Sequence, residues 1–349
     1  MRTSRVRMRL TIIVLLGVGL AFEAPQASAQ APLPITIGYQ ATADWLLITA
    51  RDLKLFERVG LAPTYVKFAA GAPMIAAAES KSIDVATPGS VPFLIGLSQG
   101  VDWVMIGIHS EEAYAEGFVA RKDRGIDRLA DLRGKRIGYA RGSTAHYAVM
   151  MALRQHGLRP DQVTLLDMAP DAQVAAMARG ELDVAVVWEP WMQRMVHEAN
   201  GRIIATEGDL GIYADVGSYS ARRDWLRDNR GTAVRFLGAL LMAYGVLQKD
   251  PMVGVRALAA EMGIKEAWAE TIYRDAPPPK IHEWANARYK YSLVREAAFQ
   301  RRLGYLATFL FDEKVMSTPV DVRDALDASV IAEVLDAWKK GNSSLPSSR

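Results

Sequence analysis

Ser143, Thr144 and His146 stand within four residues of one another, where the strand-like "RIGYA" gives way to the helix-forming "TAHYAVMMAL". The first amides of a helix lack partners and carry partial positive charge. Small hydroxyl residues there either cap the helix or join the free amides in receiving an anion, and the two uses are compatible. Three other turns have similar chemistry: Ala41-Thr42-Ala43-Asp44-Trp45, Thr87-Pro88-Gly89-Ser90 and Trp188-Glu189-Pro190-Trp191. Thr42 and Ser90 supply hydroxyls at helix starts. Asp44 and Glu189 are acids, and Trp45 and Trp188 offer flat aromatic faces. Acids beside aromatic faces suit an ammonium group, with a cation–π contact worth roughly 0.5–2 kcal/mol. Asp215, farther along, is either another ligand contact or a hinge residue. Donors at one end and acids at the other describe a small anion or zwitterion. Plainer roles compete: His146 as a packed histidine, Trp188 as the core end of "VAVVW", and Glu189 as a helix-entry residue.

These turns must be positioned by strands and helices, and an internal echo shows how. "ITIGYQ" (35–40) recurs as "KRIGYA" (135–140), 100 residues on. A polar turn, a helix and "VGL" or "HGL" follow in both copies, then "TYVKF" (64–68) or "VTLLDM" (163–168). Next come the Ala-rich "PMIAAAESKSIDVA" (73–86) and "AQVAAMARGELDVA" (172–185). Strand and helix signals in this order argue for an α/β architecture of two lobes built on one plan, each a mostly parallel sheet flanked by helices. Ligands of such sheets bind beyond the carboxyl ends of the strands, which would aim all four turns into one cleft. "DVGSYSARRDWL" (215–226) reads as a strand returning to the first lobe, and the chain beyond it is mainly helical. The expected division is lobe I from 30–120 plus 215–340, lobe II from 121–214, and a frayed tail at 341–349. Crossings near Ala120 and Tyr213–Val216 would be the hinges.

The first 29 residues have a separate logic. Four arginines precede an uncharged run from Leu10 to Phe22, and Ala27-Ser28-Ala29 offers small residues for cleavage after Ala29. That is the pattern of a secretory signal peptide. It holds four of the 42 Lys+Arg and one of the 39 Asp+Glu, so the remainder carries 38 of each. A neutral chain gives no electrostatic reason to bind nucleic acid. With no cysteine anywhere, disulfides, thiolate metal sites and thiol nucleophiles are excluded. No later run is read as long and apolar enough to cross a membrane, and the mature chain is expected in the periplasm.

"DLRGKRIGY", "STAHYAVMMALRQHGL", "MARGELDVAVVWEPW" and "GSVPF" resemble the periplasmic substrate-binding proteins of ABC importers for taurine and related sulfonates, within the wider nitrate, sulfonate and thiamine-precursor group. The resemblance implies the two-lobed type II periplasmic-binding-protein fold and capture of a small anion or zwitterion by hinge closure. It also implies a monomer without cofactor or metal, and an ABC permease in the inner membrane as partner. It places a sulfonate pocket at Ser143, Thr144 and His146 with help from Ser90, and the rest of the ligand against Trp188 and Glu189. Nitrate or a pyrimidine precursor are the alternative ligands. Enzyme readings are weaker. "GLSQG" (96–100) matches Gly-x-Ser-x-Gly, but Ser98 falls at a helix end rather than on a strand-to-helix elbow. A pyrimidine-synthesis enzyme of related fold is disfavoured by export.

Overall fold

The computed structural model describes residues 31–212 and 215–341. The proposed leader with its cleavage site, the tail from 342 on, and Tyr213 in the second crossing lie outside them. Among the described residues ten strands run in chain order: β1 (Leu33–Gln40), β2 (Leu61–Phe68), β3 (Val85–Ala86), β4 (Trp103–Glu111), β5 (Glu116–Arg121), β6 (Arg136–Tyr139), β7 (Thr164–Asp167), β8 (Val184–Trp188), β9 (Gly201–Thr206) and β10 (Val216–Arg222). They form two five-stranded sheets, ordered β2-β1-β3-β10-β4 and β7-β6-β8-β5-β9. In each sheet the first three strands are parallel, and the fourth, β10 or β5, is antiparallel to both of its neighbours. The architecture is the expected α/β pair of mostly parallel sheets flanked by helices.

The sequence echo has a physical cause. Gly38 in β1 and Gly138 in β6 lie under Ile83 and Leu182, where a Cβ would come within 2.8 and 2.6 Å of the respective Cδ1 atoms. The shared Asp of "DVA" ties each strand pair together. Asp84 accepts the Thr36 amide at 2.8 Å, and Asp183 accepts the Arg136 amide at 2.9 Å. Asp183 also receives the Arg136 guanidinium at 2.7 Å. Thus the glycine sets how closely the next strand's lead-in packs, and the aspartate pairs an amide that the ladder leaves open.

Two expectations are corrected. Ala120 lies inside β5, which pairs with β8 and β9, so the first crossing falls between Glu111 and Glu116. The chain enters an extended, fully buried strand by Ala120, which is no place for a hinge. Second, the helix Arg230–Lys249 is long and apolar enough, by length and composition, to cross a membrane. It is instead a core helix here, its Phe236 stacked on Phe56 at 5.5 Å and most of its apolar residues buried. Ser98, as expected, ends a helix (Ser90–Ser98) and donates to the Ile95 carbonyl at 2.8 Å.

Replacing Asp183 with Ala removes a charge-assisted partner of the β6 amide. Urea unfolding should show a loss of about 1.5–3 kcal/mol; an unchanged midpoint would remove Asp183 from the account of the repeat.

Candidate ligand-binding site

The four turns meet. The indole N–H groups of Trp188 and Trp191 both donate to the Ala41 carbonyl, at 3.1 and 3.2 Å. The Thr42 hydroxyl approaches the Glu189 carbonyl at 3.5 Å. Gly89 abuts the other sheet's helix start so closely that a Cβ there would lie 2.7 Å from the Thr144 methyl. Thr42, Ser90, Ser143, Thr144 and Trp188 are all buried at this junction.

The hydroxyls do not cap. Ser143 occupies the N-cap position of the helix Thr144–Gln155, but its side chain accepts no helix amide. It donates back to the Ala140 carbonyl at 2.7 Å. Thr144 donates to the Glu116 carboxylate at the start of β5. Ser90 donates to Asp215 and accepts the Val216 amide at 3.2 Å. The first turn of the helix Thr144–Gln155 therefore keeps its positive end without a side-chain cap, facing buried hydroxyls.

Acids dominate the surroundings. Asp44, Glu116, Glu189, Glu207 and Asp215 are buried, and among the described residues no Lys or Arg is. Burial pushes the Asp44 carboxyl up, opposed by His109 and by the Tyr219 hydroxyl. The Tyr147 phenol is also pushed up, by burial and then by Asp215 and Glu207, which marks all three as neighbours. Burial raises Glu189 to about 7, against hydrogen bonds from Gln193 and with help from Asp275. A junction so rich in buried carboxylates disfavours a bare anion and favours a group that brings positive charge.

Several expected residues make contacts within the protein. Trp45 is buried away from the junction, its indole N–H on the Ala276 carbonyl at 2.8 Å and its ring edge-on to Tyr273 at 4.9 Å. It begins a helix whose buried face turns it toward the C-terminal helices. His146 is half-buried and folds onto its own loop: it packs on Tyr139 at 5.0 Å and accepts the Gly142 amide at 3.4 Å. Its imidazole is held below the usual value by burial and then by Arg141. Glu189 contributes its backbone to the junction, while its carboxylate accepts from the Gln193 amide and side chain, both at 3.2 Å. That carboxylate lines a separate cavity of about 370 Å³ with Tyr114, Met192, Ile203, Ile272 and Asp275. Asp44 caps the helix Trp45–Asp52 through the Leu47 amide at 3.0 Å. Residues missed from sequence are Trp191, Glu116 and Glu207. An acid opening the apolar "EGFVAR" was a readable signal for Glu116.

Two α/β sheets whose strand-end turns close on one buried polar junction give the fold seen in periplasmic sulfonate-binding proteins. The chain belongs to the NMT1-like family, which matches residues 28–265. It is 25% identical over 321 residues to a putative aliphatic sulfonates-binding protein of Escherichia coli (strain K12), covering 91% of this chain and 95% of that one. It is 31% identical over 192 residues to the taurine-binding periplasmic protein of the same organism, 55% of this chain and 58% of that one. The alkanesulfonate-binding protein SsuA from Xanthomonas axonopodis pv. citri, bound to MOPS, superposes with a TM-score of 0.73 at 25% identity, covering 85% of this chain and 99% of that one.

Two outcomes test these placements. Glu189 keeps its proton to about pH 7 when folded, whereas an unperturbed glutamate releases it near 4.5. Stability should therefore fall as pH rises through that window, by on the order of 3 kcal/mol, and level off above it. Glu189→Gln should remove that share of the decline in pH-dependent urea unfolding. Trp45→Phe should lower stability by about 1 kcal/mol through the lost hydrogen bond. Calorimetric ligand affinity should stay unchanged, since the ring is outside the junction.

Proposed function

We propose that this chain is the periplasmic solute-binding component of an ABC importer, that it captures a small sulfonate-type zwitterion, taurine-like in size, and that it delivers this cargo to an inner-membrane permease. The first lobe would comprise β1–β4, β10 and the C-terminal helices, and the second β5–β9. Hinges at Glu111–Glu116 and just before Val216 would let the lobes part, and ligand contacts made only when closed would shift the equilibrium. The observation that carries this reading is the junction itself: an uncapped helix start and buried hydroxyls from one sheet facing buried carboxylates gathered from both. The helix start suits an oxyanion; the acids suit an amine.

Relatives support the same class. Those named above are binding proteins for sulfonates or taurine, and MOPS is chemically a sulfonate with a basic nitrogen. Capture without turnover fits this set. The buried acids weigh against nitrate, which has no cationic end to offset them.

Thermal-shift and calorimetric titration of the chain from residue 30 on should show stabilisation by taurine, because ligand binding only to the folded state raises apparent stability. Ser143→Ala with Thr144→Ala should weaken taurine binding by more than about tenfold, or roughly 1.4 kcal/mol. Stabilisation by nitrate or a pyrimidine but by no sulfonate would overturn the reading, as would measurable consumption of the added compound.

A further inference from the structure

We propose that His109 is a specificity-determining residue of the cleft, and that with Asp44 it receives the ammonium end of the ligand. The inference rests on the reading of the junction as a zwitterion site and adds which wall reads the amine.

His109 is fully buried near the end of β4, in the otherwise apolar run "WVMIGIHSE". The β4–β10 pairing slips at this point: Gly217 faces Ser110 and Ser218 faces Ile108, so His109 has no residue opposite it. Such a bulge re-aims the extra side chain, and bulges gather beside functional sites. Gly217 makes the room. A Cβ there would lie 2.0 Å from His109 Cε1 and 2.4 Å from Nε2, so any larger residue would expel the ring. Gly217 in turn bridges Gly89, the residue packed against Thr144. The ring thus overlies the backbone that forms the floor of the junction.

The polar atoms around it are selectively used. Tyr219 stands 5.6 Å from the His109 ring and donates its hydroxyl to Asp44 Oδ1 at 2.6 Å. Asp44 Oδ1 also takes the Leu47 amide, whereas Asp44 Oδ2 is buried without a partner. His109 Nδ1 lies 3.0 Å from Ser110 Oγ, whereas Nε2 is buried without a partner. Two buried, open polar atoms in one cluster carry a standing desolvation cost. When Nδ1–H is donated to Ser110, Nε2 presents a lone pair, and Asp44 Oδ2 presents another. An ammonium group has the N–H donors to fill both, and its charge offsets Asp44. A sulfonate has no donor for either.

The test is calorimetric titration with taurine and with ethanesulfonate, its amine-free analogue, on wild type, His109→Gln and His109→Asn. The Gln amide reaches the place of Nε2; the Asn amide reaches only that of Nδ1. Wild type should prefer taurine by about tenfold or more. His109→Gln should keep most of that preference, and His109→Asn should lose it with little change in ethanesulfonate affinity. Equal preference in all three proteins overturns the inference while leaving the sulfonate reading intact. Parallel loss of both ligands in His109→Asn assigns His109 a structural role and likewise overturns it. Wild type binding neither probe overturns the sulfonate reading and this inference with it.

Discussion

One carbonyl organises the junction. Ala41 O accepts two indole N–H groups, from Trp188 and Trp191, and both of its lone pairs are occupied across the gap between the sheets. The two rings come from either end of a four-residue turn, so they fix that turn against the end of β1 at two points. Thr42 then has to meet the Glu189 backbone, and Gly89 has to slide past Thr144. Each bond contributes only about 1 kcal/mol. Their shared acceptor makes them specific, because a small rotation of one sheet breaks both together.

The electrostatics follow from that closure. A buried junction strengthens every charge within it, and the charges gathered here are almost all acidic. Hydroxyls donate to three of them: Ser90 to Asp215, Thr144 to Glu116, Tyr219 to Asp44. Hydroxyl donors soften a carboxylate without cancelling its charge. The remaining negative potential sits near an uncapped helix start of opposite sign. On the proposed function, a site so polarised would discriminate by the arrangement of charge within a ligand more than by its net charge.

Much of this was legible in the residues. The repeat at 35–86 and 135–185 marked two mostly parallel sheets built on one plan because its recurring parts, the buried glycine and the amide-binding aspartate, serve the same contacts in both sheets. Thr42, Ser90, Ser143, Thr144, Trp188 and Asp215 were placed together by a general rule about strand ends. Trp45 and His146 point elsewhere than their turns suggest for one reason: residue type and turn position say nothing about which way a side chain leaves the first turn of a helix. Trp45 swings to the C-terminal helices, whose packing lies more than two hundred residues away in the chain. His109 was invisible because its relevance depends on a one-residue slip between strands far apart in sequence. Such register is a tertiary fact.

The place of β10 has a consequence for how the molecule is assembled. All five strands of the second sheet are contiguous in the chain, from Glu116 to Thr206, so that sheet can form as soon as its own segment exists. The first sheet cannot. β10 lies between β3 and β4, so until Val216–Arg222 arrives its middle is an open slot, with β4 detached from its fellows. Closing that slot joins segments separated by more than a hundred residues, the kind of long-range pairing that slows a chain's descent to its native state. A polypeptide emerging from its N-terminus would complete its second sheet before its first.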